Sequence, residues 1–283
     1  MKICILPDVH ENWDIFNKNL ENALNDKSLD KIIVLGDYCD CHDTDKNIKN
    51  HGIVTAKNIK NLANIDDPRL DRLVGNHDFK YIAGFPCSGP SDYYKWLEIY
   101  KEAFLSNLYK FKIAVKYDNW IFSHAGFSSA WFENVYNSFK LKFNKENPLP
   151  YDPVDLSNTL FWSKYWSPFD FSDKCYDPYG DSIFSPPTWI RPPSLIRFGI
   201  EGYNQCVGHT VLTEDSMSYW NLEGRVVEAK DWYDKKKFYK YQYEAENEPK
   251  NLDCKYVFID SPENNFYAVI DTVTNEVEIT SVS

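Results

Sequence analysis

Long apolar runs and positive charge are both scarce in this chain of 283 residues. No stretch approaches the roughly 18 apolar residues of a membrane helix, so the sequence predicts no membrane partner. The first apolar run is short and is interrupted by Asp8, so we expect no export signal. The 31 Lys and Arg residues face 42 Asp and Glu residues, and this net charge of −11 disfavours a general nucleic-acid binder, which needs clustered cations.

Cysteine pairs are missing as well. The seven cysteines are odd in number and form no CxxC motif, which predicts reduced thiols and a cytoplasmic location. No repeat, low-complexity tract or linker divides the chain, and its length suits one large domain. We therefore predict a single domain over residues 1–283, with an insertion rich in aromatic residues and proline at about 139–200.

Apolar runs that stop at polar clusters are the main pattern of the sequence, and each predicts a strand followed by a loop. They cover residues 2–10, 31–40, 72–79, 120–127 and 205–210. Helical spacing of apolar residues at 12–26 and 51–65 separates the first three strands. This alternation predicts an α/β fold with right-handed crossovers and a mainly parallel sheet. Further predictions are a helix at 92–108, a hairpin at 111–116 and 119–123, and strands at 255–260, 265–272 and 275–282.

Two aromatic segments leave alternatives open. Residues 139–198 have no clean period and predict an irregular insertion, either a lid or a surface subdomain, whose aromatic side chains pack on one another or stack a base. Self-packing is the favoured alternative. Residues 233–243 alternate lysines with aromatic residues, as surfaces that bind single strands do, but the acidic surroundings favour a solvated edge.

Histidines cluster at the predicted strand ends. Four of the six follow an apolar run directly, and in an open α/β sheet such positions meet at one edge, where ligands bind. The polar residues at these ends are Asp8, His10, Asp37, Asp40, Asn76, His77, His124 and His209. Each taken singly is an ordinary turn residue. Together, oxygen and imidazole donors without thiolate predict a site for Mn, Fe or Zn.

Five short blocks make this pattern specific. They read DVH, GDYCD, GNHD, SHAG and GHT, between residues 8 and 210. In this order they resemble the signature blocks of the calcineurin-like metallophosphoesterases. The resemblance implies a four-layer α/β/β/α sandwich with two mixed β-sheets. It also implies a metal-dependent phosphoric ester hydrolase with two divalent or trivalent ions, Mn, Fe, Zn or Ni.

The resemblance also implies a role for each residue. Asp8 and His10 would hold one metal, and Asp37 would bridge both. The remaining ligands of the second metal would be Asn76, His124 and His209. A hydroxide between the metals would attack phosphorus, while His77, held in one tautomer by Asp40, would protonate the leaving group as general acid.

Phosphate binding departs from the family pattern. The arginine that usually follows the second block is replaced by Cys41 and His42. We predict that Arg191, with Arg197 behind it, contacts the phosphate instead; the alternative for Arg191 is a surface arginine stacked on an aromatic ring. His42 is either an exposed loop residue or a replacement contact to substrate.

Two further departures bear on function. Glu11 stands where the family usually has glycine, and Val211 where nuclease-like members have a second histidine. The second change favours the phosphatase-like branch, which includes protein phosphatases and dinucleotide polyphosphate hydrolases. The favoured substrate is a phosphomonoester on a protein or nucleotide. The alternative is a phosphodiesterase or pyrophosphohydrolase acting on a dinucleotide, a cyclic nucleotide or a nucleic-acid end. A non-catalytic scaffold is disfavoured because every ligand position is filled.

Overall fold

The computed structural model of the protein describes residues 1–41, 51–85, 93–143, 148–171, 180, 182–214, 217, 225–231, 253–260 and 266–281. Among them, none of the helices combines the length and apolar character needed to cross a bilayer. The strands are β1 (Lys2–Leu6), β2 (Lys31–Val34), β3 (Leu70–Leu73), β4 (Phe111–Lys112), β5 (Ala114–Tyr117), β6 (Trp120–Ser123), β7 (Asn204–Val207), β8 (Val226–Glu228), β9 (Lys255–Phe258), β10 (Phe266–Asp271) and β11 (Glu276–Ser281). The helices are α1 (Trp13–Asn25), α2 (His51–Asn64), α3 (Asn76–Ala83), α4 (Tyr93–Leu105), α5 (Ser129–Phe139), α6 (Pro153–Trp162) and α7 (Pro192–Phe198).

The strands form two mixed sheets, as predicted. The larger sheet has the order β11-β10-β1-β2-β3-β4, and the smaller has the order β5-β6-β7-β9-β8. In the larger sheet β1 to β4 run parallel, while in the smaller sheet β6, β7 and β9 do. Parallel neighbours deliver their carboxyl ends to the same edge of a sheet, so the loops after β1, β2 and β3 lie together, as do those after β6, β7 and β9.

The alternation of side chains along β1 sets up the layers. Ile3 and Ile5 enter a core between the two sheets, where they meet Phe122 and Val257 of the smaller sheet. Cys4 and Leu6 face the other way, into a larger core with the helices that cover the first sheet. A third cluster joins the outer face of the smaller sheet to α7. The predicted α/β/β/α sandwich is therefore confirmed.

The prediction of an irregular segment at 139–198 is wrong in part, because it contains α6 and α7. Asp152 caps α6 by accepting hydrogen bonds from the backbone of Val154 and Asp155, at 3.0 and 3.1 Å, and a proline opens the first turn of each helix. The many aromatic residues and prolines of this segment made its capping residues hard to recognise in the sequence. Phe161 and Phe169 are fully buried against Phe79, which agrees with self-packing.

Three other details differ from the sequence predictions. The hairpin predicted at 111–116 and 119–123 is confirmed for β5 and β6, which pair antiparallel, but residues 111 and 112 form β4 and join the larger sheet instead. The GNHD block does not end in a loop but begins α3 at Asn76. Strand β8 was not predicted, because it is only three residues long and ends in a glutamate. The lysine-aromatic segment at 233–243 lies outside the described residues.

Asn158 holds the chain where it passes from one sheet to the other. Its side-chain oxygen accepts hydrogen bonds from the backbone N–H groups of Ile113 and Ala114, at 2.8 and 3.4 Å, and its amide donates to the Ala114 carbonyl at 2.9 Å. We expect Asn158→Ala to lower the free energy of unfolding by about 2–4 kcal/mol, because buried backbone groups lose their partners. Denaturant unfolding measures this change.

Asn17 offers a matched control, because it is also a helical asparagine but is exposed in α1. Asn17→Ala should change stability by less than about 0.5 kcal/mol. Equal effects of the two substitutions would contradict a specific role for Asn158.

Candidate metal centre and active site

Left-handed backbone conformations mark the turns after the strands. His10, Asp37, Asp40 and His209 have φ values of 43°, 49°, 64° and 58°. Each such non-glycine residue costs of order 1–3 kcal/mol and persists only where its surroundings hold it. All four are residues that the sequence predicted for the site. Half of the eight described non-glycine residues with positive φ therefore lie at the candidate centre.

Two glycines allow carboxylates to approach the backbone closely. A Cβ atom on Gly75 would lie 2.0 Å from Oδ1 of Asp37, and one on Gly208 would lie 2.0 Å from Oδ1 of Asp8. No side chain fits at such distances, which explains glycine at these two positions of the GNHD and GHT blocks. The two aspartates are thereby placed against the turns that carry Asn76 and His209.

Asp37 lies at the centre of the cluster. Its Oδ1 accepts a hydrogen bond from the His77 backbone N–H at 2.8 Å, while its Oδ2 lies 3.6 Å from His10 Nε2 and 3.2 Å from His124 Nε2. Potential metal ligands form two groups that share this residue, His10–Asp37–His77 and Asp37–His124–His209, each within 4.8 Å. The shared carboxylate has the position of a bridge between two cations.

The hydrogen bonds of the histidines select which ring nitrogen faces the site. His10 donates from Nδ1 to the Asp40 carbonyl at 2.9 Å, and His124 donates from Nδ1 to the Leu35 carbonyl at 3.0 Å, so Nε2 of each is turned to the centre. His209 is reversed and donates from Nε2 to the Trp189 carbonyl at 3.1 Å. Orientation of an imidazole by a second hydrogen bond is typical of metal ligands.

Further polar atoms converge on the same space. Asp8 uses Oδ2 to accept the His209 backbone N–H at 2.8 Å, whereas its buried Oδ1 has no hydrogen-bond partner among the described residues. Asn76 Oδ1 lies 2.9 Å from His124 Nε2. Asp37 Oδ2 also lies beside that nitrogen. The lone pairs of the two oxygens therefore point at His124 Nε2, and this arrangement is stable only if a proton or a metal cation lies between them.

Electrostatics lead to the same conclusion. Burial and the negative charge of Asp260 raise the pKa of Asp8 well above its usual value. Burial alone would lower the pKa of His124, yet the charges of Asp37 and Asp8 outweigh it and raise this pKa to about 10. Burial and the positive charge of Arg191 hold the pKa of His209 well below its usual value. Without another cation, His124 takes up the positive charge that the carboxylates require, so the residues present fit metal ions.

His77 and Asp40 form a second unit beside Asp37. His77 Nδ1 lies 2.7 Å from Asp40 Oδ2, Tyr81 donates its hydroxyl to Asp40 Oδ1 at 2.6 Å, and the buried ammonium of Lys80 also contacts Oδ2. Burial would raise the pKa of Asp40, but the hydrogen bond and charge of His77, with Lys80, hold it at about 2. Asp40 is thus an ionised carboxylate that fixes the His77 ring.

Of the three predicted substrate contacts, Arg191 adjoins the candidate centre and Arg197 lies farther along α7. Arg191 donates from Nη1 to the His209 carbonyl at 2.9 Å, and its guanidinium carbon lies 5.7 Å from the Trp189 ring centroid. The stacking on an aromatic ring is thus confirmed, and the guanidinium also adjoins His209, while the phosphate contact stays a prediction. Arg197 lies in the last turn of α7, 5.6 Å from the Phe198 ring centroid. His42 lies outside the described residues.

Two buried carboxylates were missed by the sequence reasoning. Asp78 accepts backbone hydrogen bonds from Gly75, Tyr38 and Cys39 at 3.1, 2.8 and 3.2 Å, and so ties the loop after β2 to the start of α3. Asp260 follows β9 and is 1% exposed. Both carried usable signals, because Asp78 closes the GNHD block and Asp260 ends an apolar run, as the predicted residues do.

Comparison with known proteins identifies one family. The family model for calcineurin-like phosphoesterases matches residues 1–213. No curated protein matches the sequence significantly. A cold-active protein-tyrosine phosphatase of a psychrophilic Shewanella species has a similar structure, with a TM-score of 0.52, 15% identity, and coverage of 100% of this chain and 80% of that one. At this identity the similarity shows the fold. A protein serine/threonine phosphatase from Saccharomyces cerevisiae aligns with a TM-score of 0.45, 12% identity and the same coverages.

The shared position of Asp37 leads to a prediction about metal content. We expect the wild-type chain to bind two Mn²⁺ ions and Asp37→Asn to lose most of both, because one carboxylate serves both ligand groups. Metal analysis after dialysis checks the stoichiometry. Mn²⁺ at about 100 times Kd should stabilise the wild type by about 2.7 kcal/mol for each ion bound, and the variant much less. Retention of two ions by Asp37→Asn would contradict the bridging role.

Proposed function

Because the chain belongs to the calcineurin-like phosphoesterases and is a phosphoric ester hydrolase, we propose that it is a phosphatase that hydrolyses a phosphomonoester on a protein or a nucleotide. The observation that carries this proposal is the His77–Asp40 pair, joined at 2.7 Å directly beside the carboxylate shared by both ligand groups. A proton donor next to a candidate dinuclear site suits the cleavage of a phosphate ester.

The proposed metal ligands are Asp8 and His10 for one ion, Asn76, His124 and His209 for the other, and Asp37 for both. Their oxygen and nitrogen atoms suit Mn, Fe or Zn, and we propose Mn²⁺ for reconstitution. When bound, such a pair of ions stabilises charge on the phosphoryl oxygens and supplies hydroxide near neutral pH. The chain's own contribution is to hold the donor atoms in place through the backbone contacts of Asp8 and Asp37.

His77 is the proposed general acid. Asp40 accepts the hydrogen bond from Nδ1, which leaves Nε2 to carry a proton to the leaving oxygen. Burial would lower the pKa of His77, but the negative charges of Asp37 and Asp40 outweigh it and raise this pKa above its usual value. This direction favours the protonated ring that a general acid requires.

Arg191 is the proposed phosphate contact and favours a monoester. A phosphomonoester carries a second negative charge near neutral pH, whereas a diester carries one. The guanidinium beside His209 adds positive charge next to the candidate metal centre and has a planar set of donors suited to phosphate oxygens. Arg197, at the other end of α7, is proposed to support this surface.

A single domain and a cytoplasmic location complete the proposal. None of the described cysteines, Cys4, Cys39, Cys41, Cys206 and Cys254, is joined in a disulfide, which suits a reducing compartment.

The substrate class is tested with Mn²⁺-reconstituted protein on an aryl phosphomonoester and an aryl phosphodiester. We expect turnover of the monoester, and a loss of about 10² to 10⁴ in kcat for His77→Asn, because the leaving oxygen is no longer protonated. Steady-state kinetics at saturating substrate measure this loss. Turnover of the diester alone would instead favour the phosphodiesterase or pyrophosphohydrolase alternative, and no turnover with any metal would favour a scaffold.

Arg191 provides a separate prediction about binding. Arg191→Ala should raise KM for the monoester, and the inhibition constant of inorganic phosphate, about 10- to 100-fold, because a hydrogen bond to a charged group is lost. Arg191→Lys should recover part of the loss, since lysine keeps the positive charge but lacks the planar, bidentate set of donors of the guanidinium. Lys18→Ala, which removes an exposed charge from α1, controls for net charge. An unchanged phosphate inhibition constant in Arg191→Ala would contradict the contact.

A further inference from the structure

We propose that Glu11 is a positioning residue for the general acid, because it ties Asp40, and through Asp40 the His77 ring, to helices α2 and α4. The inference rests on the proposed function, since it assigns Glu11 to the action of His77. Glu11 follows the metal-ligand candidate His10 directly and stands where the family usually has glycine.

The backbone of Glu11 is held in a conformation that suits glycine better. Its φ is 61°, directly after His10 at 43°, so two consecutive non-glycine residues are left-handed. Glycine at this position would adopt the same turn without strain. The turn therefore does not account for a glutamate, and the side chain must be considered.

The Glu11 carboxylate is buried, with 5% of the side chain exposed, and it accepts hydrogen bonds from three parts of the chain. Oε1 accepts the Asp40 backbone N–H at 3.2 Å and the Tyr100 hydroxyl of α4 at 2.7 Å. Oε2 lies 2.7 Å from Nδ1 of His51, the first residue of α2. One side chain thus links the turn before α1 with the Asp40 loop and with two helices.

The tautomer of His51 follows from its neighbours. The Trp96 indole, which can only donate, gives its N–H to His51 Nε2 at 3.1 Å. Nδ1 must therefore carry the proton that His51 donates to Glu11. The His51 ring of α2 therefore connects Trp96 of α4 with Glu11 through two hydrogen bonds. The two helices approach closely here, because a Cβ on Gly52 would lie 2.2 Å from the Trp96 ring.

Asp40 is the point at which this network meets the chemistry. Its carboxylate holds His77, Lys80 and Tyr81, while its own left-handed backbone, at φ 64°, is anchored by the hydrogen bond to Glu11. A shift of that backbone would move the carboxylate that orients His77. His10 also contacts this backbone through the Asp40 carbonyl, but its own N–H is held by the Asp37 carbonyl at 2.7 Å. The other metal-ligand candidates are anchored by other contacts, so losing Glu11 should affect proton donation more than metal binding.

The test compares leaving groups. Phenyl phosphate releases a phenol with a pKa of about 10, close to that of tyrosine, and needs a general acid more than 4-nitrophenyl phosphate does, whose phenol is more acidic. We expect Glu11→Gln to lower kcat for phenyl phosphate about 10- to 100-fold, as supporting residues of such sites do. The loss for the nitrophenyl ester should be clearly smaller. KM for both esters and the content of two Mn²⁺ ions should not change.

Glu11→Gly is the matched variant, because it removes the carboxylate and also relieves the backbone. It should reproduce the leaving-group dependence of Glu11→Gln, whereas recovery of wild-type kinetics would show that the carboxylate has no role. Equal losses on both esters, or loss of metal in Glu11→Gln, would assign Glu11 a structural role and overturn the inference. His77→Asn is the reference variant. If its kcat falls equally for both esters, His77 is not a general acid and Glu11 has none to position.

A measurement without turnover separates this inference from the proposed function. The ring proton of His77 that is bonded to Asp40 gives a proton NMR signal, assigned by its absence in His77→Asn. In Glu11→Gln we expect this signal to shift or broaden, with thermal stability close to that of the wild type. An unchanged signal would overturn the inference even if no aryl ester is a substrate, while absence of wild-type turnover would count against the proposed function alone.

Discussion

The buried charge of Asp37 is the constraint on which the rest of the site depends. A carboxylate that is 1% exposed needs compensating donors or cations, and four histidines from four separate segments of the chain surround it. The left-handed turns and the close approach at Gly75 bring these groups within reach of its two oxygens. The neighbouring Asp8 is also buried, so the two carboxylates together need positive charge beside them.

The two sheets supply what this cluster needs from the fold. The larger sheet delivers Asp8, His10, Asp37 and Asn76 from consecutive parallel strands, and the smaller sheet delivers His124 and His209 from β6 and β7. The apolar core between the sheets fixes one set against the other. Backbone hydrogen bonds then lock the loops, since Asp8 holds the His209 turn and Asp78 holds the loop after β2. Support for the reacting groups thus comes from both sheets.

Sequence reasoning succeeded where the signal was periodic or repeated. The apolar runs before the site end in polar residues, their alternation with helices predicted the α/β fold, and the resemblance of the five blocks implied the sandwich. It failed for β8, because three residues are too few to show a period. It also failed for α6 and α7, because the surrounding aromatic residues and prolines obscure the helical spacing. Glu11 was noticed only as a departure, because its partners Asp40, His51 and Tyr100 are far from it along the chain.

The sequence by itself determined the α/β class and the donor residues, because these depend on residue type and on strand ends that any parallel sheet gathers, and its five blocks carried the resemblance that implied the layer order. Only the tertiary structure decided how the donors are supported. The ring nitrogen that faces the centre is set by a distant carbonyl in each case, Asp40 for His10 and Trp189 for His209. Such contacts join residues 20 or 30 positions apart and leave no periodic trace, so they exist only once the loops have packed.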